Sequence, residues 1–190
     1  MDSPHWPYPL LRLKPGKESL LSKRHPWIFS GALTAPAESS LVRIADASGN
    51  VLGVATASAT NPLAARVFRF DDGPLDEAFF RARFEAALAL RQQLGLDGPD
   101  QGCRWIFGEG DLLPGLVVDR YSHALVLQVG TAGLEALRPV WWPVLLEIGQ
   151  REGLTVFVER SQSGRKEEGL EPINRTAAWT VGLGYWKEGG

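Results

Sequence analysis

A cluster of basic and aromatic residues near the amino terminus could bind nucleic acid. Its cations lie in two short runs, residues 14–17 and 23–27. Cations neutralise phosphates and release counterions, and an aromatic or guanidinium plane can stack on an unpaired base. The alternative is that these cations are solvated on the turns of a small β domain, with Trp27 in its core. The candidates for RNA contact are Lys14, Lys17, Lys23, Arg24 and His25, with Arg66 and Arg69 as weaker candidates.

Three carboxylates in residues 108–120 form a second group that could bind a metal ion or take part in catalysis. Glu109, Asp111 and Asp119 fall within eleven residues, and carboxylates can hold a hard cation or exchange protons. Glycines and a proline between two apolar runs are, however, typical of a constrained turn. Asp119 beside Arg120 also favours an ordinary ion pair. We expect a structural turn rather than a metal or catalytic site.

A third polar stretch covers residues 159–171 and follows an apolar run. Its cations Arg160, Arg165 and Lys166 could contact phosphate, but four glutamates accompany them. Because the charges nearly cancel, the composition favours a solvated loop with internal ion pairs.

The motifs that the sequence lacks are equally informative. Cys103 is the single cysteine, and with only three histidines no Cys/His spacing fits zinc. No G-x-G-x-x-G follows a strand and opens a helix, and there is neither a Walker loop nor a nucleophile elbow. The sequence therefore predicts no catalytic residue, no metal ligand and no cofactor-binding residue in this chain, with Cys103 as a strand residue.

The charge distribution of the 190 residues predicts two domains. The net charge is -2, but residues 1–70 carry +4 and residues 71–190 carry -6. The composition changes at residues 71–74, so we place the domains at 1–72 and 73–190. No secretory signal or membrane-length apolar run occurs, which predicts a soluble, cytoplasmic protein without membrane contact.

The elements that must position these side chains differ between the two parts. Residues 10–70 show short apolar runs separated by turn residues, which indicate a small barrel or sandwich with one short helix at 18–24. Residues 76–94 have helical periodicity and form the connection. Three strands follow between 104 and 129, then a helix over 134–148 that contains two prolines, and a strand at 155–158.

Three separated motifs together resemble one family. Residues 13–32 resemble the opening of the PUA domain in bacterial S-adenosylmethionine-dependent rRNA (cytosine-C5) methyltransferases. Residues 107–121 resemble the hallmark of the family's central domain, and residues 159–161 with 165–171 resemble the segment that closes it. The residues that match the family motifs are Glu109, Asp111, Gly115, Asp119, Arg120, Arg160, Arg165 and Lys166.

The resemblance implies an α+β fold class: a PUA-like β pseudo-barrel, then a small β-β-α-β-β-like central domain, with no Rossmann methyltransferase domain. The family's catalytic domain, which binds S-adenosylmethionine and supplies the catalytic cysteine, is expected to be missing. The tail after residue 171 departs from the family pattern, and whether the chain is a fragment, a frameshift product or a standalone protein stays open.

The expected function is therefore the RNA-binding and substrate-positioning part of such an enzyme, inactive alone. The chain would bind structured large-subunit rRNA and no cofactor itself, while the full-length family uses S-adenosylmethionine; a homodimer is left open. Two alternatives remain: a functioning methyltransferase with an unrecognised cofactor site, or a scaffold that docks a partner protein through the apolar edge at Trp141 and Trp142.

Overall fold

The computed structural model describes residues 6–98, 102–162, 164–180 and 183–184. The chain divides into two compact units, Met1–Asp76 and Glu77–Gly190. This division lies four residues beyond the expected boundary at 72–73. The Leu75 side chain is buried, and its N–H donates to the hydroxyl of Tyr8 at 3.2 Å. These contacts attach the residues before the long helix to the first unit.

The first unit is built on a five-stranded sheet. Its elements are β1 (Leu10–Arg12), α1 (Ser19–Ser22), β2 (Trp27–Ile28), β3 (Leu41–Ala45), β4 (Val51–Ala57) and β5 (Ala65–Arg69). The strand order is β1-β3-β4-β5-β2, with β1 and β3 parallel and the other pairs antiparallel. The fully buried Leu13, Ile28, Ile44 and Val67 share one apolar core, which confirms the prediction of a small β structure here.

The second unit opens with a helix and continues as a mixed sheet. Its elements are α2 (Glu77–Gln93), β6 (Gly102–Phe107), β7 (Leu116–Tyr121), β8 (Ala124–Val129), α3 (Ala132–Ala136), α4 (Arg138–Arg151), β9 (Val156–Ser161), β10 (Ile173–Thr180) and β11 (Leu183–Gly184). The sheet order is β11-β10-β9-β8-β7-β6. Strands β8 and β9 are parallel, and α3 and α4 form the crossover that a parallel pair requires.

Two helices of this unit carry the expected apolar faces. Phe80 and Phe84 of α2 and Trp141 of α4 are fully buried. Helix α4 continues through Pro143, as predicted. Trp142 is half-buried, with its ring 5.9 Å from the Phe157 ring, so of the two tryptophans only Trp142 is partly accessible.

The tail after residue 171 adds to this sheet. Strand β10 pairs antiparallel with β9, from Ile173 opposite Ser161 to Ala178 opposite Val156. Within the described residues the sheet therefore has six strands, more than the four of a β-β-α-β-β arrangement. This strand is not predicted from the sequence, because its pairing partner lies more than ten residues earlier in the chain.

Candidate functional site

The predicted RNA-contacting cations of the first unit lie on one short stretch around α1. Lys14, Lys17, Lys23, Arg24 and His25 are all exposed. Lys14 Nζ donates to the carbonyl of Gly31 at 3.0 Å, which fixes the direction of its side chain. Exposed cations can reach phosphates, neutralise them and release their counterions, so the surface is suited to an anionic partner.

Trp27 belongs to this surface, and the prediction that it lies in the core is wrong. It is 40% exposed, whereas its neighbour Ile28 is fully buried. The reason is that β2 is the edge strand of the sheet and successive side chains of a strand point to opposite faces. Phe29, which follows, is 53% exposed. Two large aromatic side chains therefore face solvent beside the cations.

Two contacts fix the geometry around Trp27. The Trp27 N–H donates to His25 Nδ1 at 3.2 Å, and the two rings meet edge to face at 6.3 Å between centroids. Arg24 adopts a left-handed backbone conformation, with φ 54°. Its guanidinium carbon lies 5.0 Å from the centroid of the Phe70 ring. The imidazole and guanidinium are thus held in place before any ligand arrives.

The two weaker candidates have different environments. Arg66 is half-buried and lies opposite Trp27 across the β2–β5 pair. Arg69 donates two hydrogen bonds to the Asp71 carboxylate, at 2.8 and 2.9 Å, and one to the Pro74 carbonyl at 2.9 Å. Arg69 thus holds the end of the first unit together, and Arg66 is the one placed beside the aromatic surface.

The carboxylates of the 108–120 motif are held by arginines from neighbouring elements. Asp111 accepts hydrogen bonds from Arg91 at 2.6 and 2.8 Å and from the Phe107 N–H at 2.6 Å. Asp119 pairs with Arg104 at 2.8 and 3.0 Å. The expected Asp119–Arg120 pair is wrong, because adjacent strand residues point to opposite faces whereas Arg104 is the cross-strand neighbour of Asp119.

The remaining members of this motif shape its turns. Gly115 has φ +83°, and a Cβ there would come within 2.6 Å of the Thr131 Oγ1. Arg120 Nε donates to the Ser122 carbonyl at 3.3 Å. Glu109 is half-buried in the short helical turn Gly108–Asp111. Glu109 and Gly115 therefore belong to the β6–β7 connection, and Arg120 supports the turn between β7 and β8.

The expected solvated loop after β9 contains a buried ionic network instead. Glu159 is fully buried and accepts hydrogen bonds from Arg138 at 2.7 Å, from the Ser161 hydroxyl at 2.8 Å and from Arg175 at 2.7 Å. Arg165 is 3% exposed and donates to the Val129 carbonyl and to Glu135, both at 2.9 Å. Tertiary partners on β8, α3, α4 and β10 satisfy these charges, and no local pattern could reveal them.

This network also lowers the pKa of the Glu135 carboxyl group. Burial opposes ionisation of Glu135, but the hydrogen bonds and charges of Arg138 and Arg165 outweigh it and lower the Glu135 pKa. Arg165 is thereby unavailable to phosphate. Of the other candidates, Arg160 and Lys166 are exposed.

Two concave surfaces lie in the second unit. A cleft of about 270 Å³ is bordered by residues 107–110, Gly115 and residues 128–130. A groove of about 700 Å³ runs beside the end of α2 and is lined by Leu90, Leu94, Cys103 and Tyr121. Burial raises the pKa of the Cys103 thiol, so this cysteine is poorly suited to attack a substrate as a thiolate.

Two other classes of site are absent from the part of the chain that the structure describes. Within those residues, no group of three histidine, cysteine, aspartate or glutamate side chains is arranged to hold a metal ion. Among the same residues, no helix combines the length and apolar character that a membrane crossing demands.

Comparison with known proteins gives related results for the two units. Residues 11–70 match the model of a PUA-like domain. Ribosomal RNA large subunit methyltransferase I of Pseudoalteromonas translucida is 33% identical over 172 residues, which cover 88% of this chain and 43% of that protein. The enzyme of the same name from Cronobacter sakazakii is 36% identical over 168 residues, covering 85% and 41%. The chain thus spans less than half the length of these relatives.

Solved structures share the fold at low sequence identity. A protein of Streptococcus mutans assigned as a SAM-dependent methyltransferase superposes with a TM-score of 0.70 at 14% identity, covering 94% of this chain and 48% of the other. A second chain, assigned as a methyltransferase and solved with SAH, gives a TM-score of 0.69 at 15% identity, covering 94% and 47%.

These structures correct the expected fold class. The expectation of an α+β chain that excludes a Rossmann methyltransferase domain is wrong, because the proteins whose fold matches nearly the whole of this chain are methyltransferases. The mixed sheet with its helices is part of that shared fold. The chain contains a PUA-like domain at residues 11–70 and is related in sequence to ribosomal RNA large subunit methyltransferase I.

Proposed function

We propose that this chain binds and positions ribosomal RNA for methyl transfer from S-adenosylmethionine to C5 of a cytosine. The observation that carries the proposal is the exposed stretch Arg24, His25 and Trp27, where the imidazole packs edge to face on an exposed indole and the Arg24 guanidinium lies on the Phe70 ring. Surfaces that combine phosphate-neutralising cations with exposed aromatic faces bind unpaired RNA. The relatives' name adds support for large-subunit rRNA as the partner.

The described residues support a role in holding RNA rather than in the chemical step. Cys103 has a raised pKa through burial, and the aspartates of the 108–120 motif are neutralised by Arg91 and Arg104. Both carboxylates are therefore occupied in ion pairs that join elements of the fold. We therefore expect the described residues alone to bind RNA without transferring a methyl group.

S-adenosylmethionine does not fit the cleft beside Phe107. The volume of the cleft, about 270 Å³, lies below the ~300–1,000 Å³ that is typical of small-molecule sites. Three of its four glycines lie in the turn between the antiparallel strands β6 and β7. The fourth, Gly130, precedes the five-residue helix α3 but lacks the G-x-G-x-x-G sequence of nucleotide-type cofactor sites.

Fluorescence anisotropy with a structured fragment of large-subunit rRNA tests the proposal. The wild-type chain should bind this fragment more tightly than a scrambled RNA of equal length. The logarithm of its binding constant should fall by about 0.7 for each phosphate neutralised when the logarithm of the salt concentration rises by one. Lys14→Glu and Arg24→Glu should each weaken binding about tenfold or more, since each replaces a phosphate contact with a repulsive charge.

The matched control is Arg12→Glu, which makes the same charge change on an exposed side chain of β1, at the end of the sheet opposite to β2. Equal losses in the control and in the Lys14 variant would show that only net charge matters. That result, or equal affinity for structured and scrambled RNA, would reject the proposal.

A further inference from the structure

The cleft beside Phe107 has a wall made largely of main chain. Of the residues that border it, Gly108, Gly110, Gly115 and Gly130 carry no side chain. A Cβ at Gly130 would make only an ordinary contact, 3.8 Å from the Gly115 carbonyl oxygen. The glycines therefore leave a slot that a flat ring can enter against the backbone.

Phe107 presents an aromatic ring at the mouth of this slot. It is 57% exposed, whereas its strand neighbour Ile106 is fully buried. The Arg104 guanidinium carbon lies 5.4 Å from the ring centroid. A Cβ at Gly110 would approach Phe107 Cδ1 to 3.3 Å, so the missing side chain at position 110 keeps that part of the ring uncovered.

The main chain that carries the ring is held in position before a ligand binds. The Phe107 N–H donates to Asp111, whose carboxylate also accepts two hydrogen bonds from Arg91. A preorganised main chain loses little conformational entropy on binding. The cleft thus combines an exposed aromatic ring on a fixed main chain with an open slot.

Gln128 supplies a hydrogen-bonding group on the opposite border. It is exposed on β8, directly opposite Val117 of β7. A carboxamide offers both an acceptor oxygen and two donor hydrogens, which can read the edge of a base. Val117 adds an apolar floor to the same cleft.

We propose that this cleft binds one unstacked nucleobase of the bound RNA, with the base ring against Phe107 and its polar edge at Gln128. The inference rests on the proposed RNA-binding function, and it adds a second contact site, located on the second unit. The cleft volume of about 270 Å³ admits a single ring system, and stacking on an exposed aromatic is the usual way that proteins hold an unpaired base.

Nucleoside titration tests the cleft without involving the first unit. In ¹⁵N-edited NMR spectra, cytidine or adenosine at millimolar concentration should shift the Gln128 side-chain amide signals, and ribose 5-phosphate should not. An absent shift with every nucleoside, or an equal shift with ribose 5-phosphate, would overturn the inference.

Variants of the cleft test its contribution to RNA binding. Phe107→Ala removes the stacking surface, and Gly130→Leu fills the slot. Each variant should weaken binding of the rRNA fragment about fivefold or more, which corresponds to the lower end of the free energy of stacking one base. Ala136→Leu is the control, because it adds a leucine at an exposed helical position that does not border the cleft. Gln128→Ala, at an exposed position, provides a readout that stays valid if Gly130→Leu fails to fold.

The two proposals fail in different ways. RNA binding that depends on Lys14 and Arg24 but ignores all cleft variants would overturn the nucleobase site alone. Nucleosides that shift Gln128 in a chain with no preference for structured rRNA would reject the proposed function and leave base recognition by the cleft in place.

Discussion

Trp27 lies directly opposite Arg66 across the antiparallel β2–β5 pair, at the outer edge of the five-stranded sheet. A solvent-facing indole beside a guanidinium provides one group for a base and one for a phosphate. The pair therefore predicts an effect on RNA binding that is separable from folding.

Trp27→Ala should weaken RNA binding about tenfold, in line with the ~1–3 kcal/mol of one stacked base, while the free energy of unfolding changes little. Ile28→Ala, next to it but fully buried, should instead lower the free energy of unfolding by ~2–5 kcal/mol. Anisotropy and urea denaturation measure the two quantities. A Trp27→Ala chain that binds RNA normally would exclude the indole from the interface.

The Arg91–Asp111 pair links α2 to the β6–β7 connection, and both side chains are about nine-tenths buried. Asp111→Asn leaves the Arg91 charge buried without its partner, so we expect the free energy of unfolding to fall by about 3 kcal/mol. Urea denaturation measures the loss. Glu147→Gln breaks the exposed Arg81–Glu147 pair and should have a much smaller effect. Similar losses in both variants would show that burial does not strengthen the Asp111 contact.

Gly115 combines a left-handed backbone conformation with a close approach to Thr131. Gly115→Ala should therefore lower the free energy of unfolding by about 3 kcal/mol, from backbone strain and overpacking together. Gly153 has a similar φ of +77°, but a Cβ added there would meet no atom within 4 Å. Gly153→Ala should cost only about 1 kcal/mol, the backbone part alone. Equal costs, measured by thermal or urea unfolding, would rule out the Thr131 contact as a constraint.

The lowered pKa of Glu135 predicts a dependence of stability on acid. A carboxyl group whose pKa is lower in the folded state stabilises the fold above the unfolded pKa, about 4.3 for glutamate. That contribution is lost as the pH falls through the lower, folded pKa. Glu135→Gln should thus flatten the decline of unfolding free energy below about pH 4.3. Parallel pH profiles for wild type and variant would contradict the role of Glu135.

Elements with strong local periodicity could be predicted from the sequence. The helix expected at 76–94 is α2, Glu77–Gln93, because an apolar face at 3.6-residue spacing is visible within one window. The helix expected over 134–148 does pass through Pro143, but the structure divides it at Leu137 into α3 and α4, and α4 extends to Arg151. In both cases the buried face is encoded by residues close in the chain.

Features that depend on distant partners could not be predicted in the same way. Trp27 is exposed because β2 ends a sheet, which is a property of strand order and not of the local pattern. Arg165 is buried because β8 and α3 supply its acceptors 30 or more residues earlier. The cleft beside Phe107 also needs β6, β7, β8 and Ser161 together. The glycines in residues 108–115 are the part of this cleft that the sequence reveals, and their pattern predicts only a turn.

The side-chain bonds around β6 have a consequence for solubility at high concentration. This strand forms one end of the six-stranded sheet. Arg91 Nε donates a hydrogen bond to the Arg104 carbonyl at 3.0 Å, and the Phe107 N–H donates one to the Asp111 carboxylate. An end strand whose main-chain groups are already bonded offers a poor template to an extended segment of another molecule. The same arginine–aspartate pair that positions Phe107 thus protects the sheet against strand addition and the aggregation that would follow.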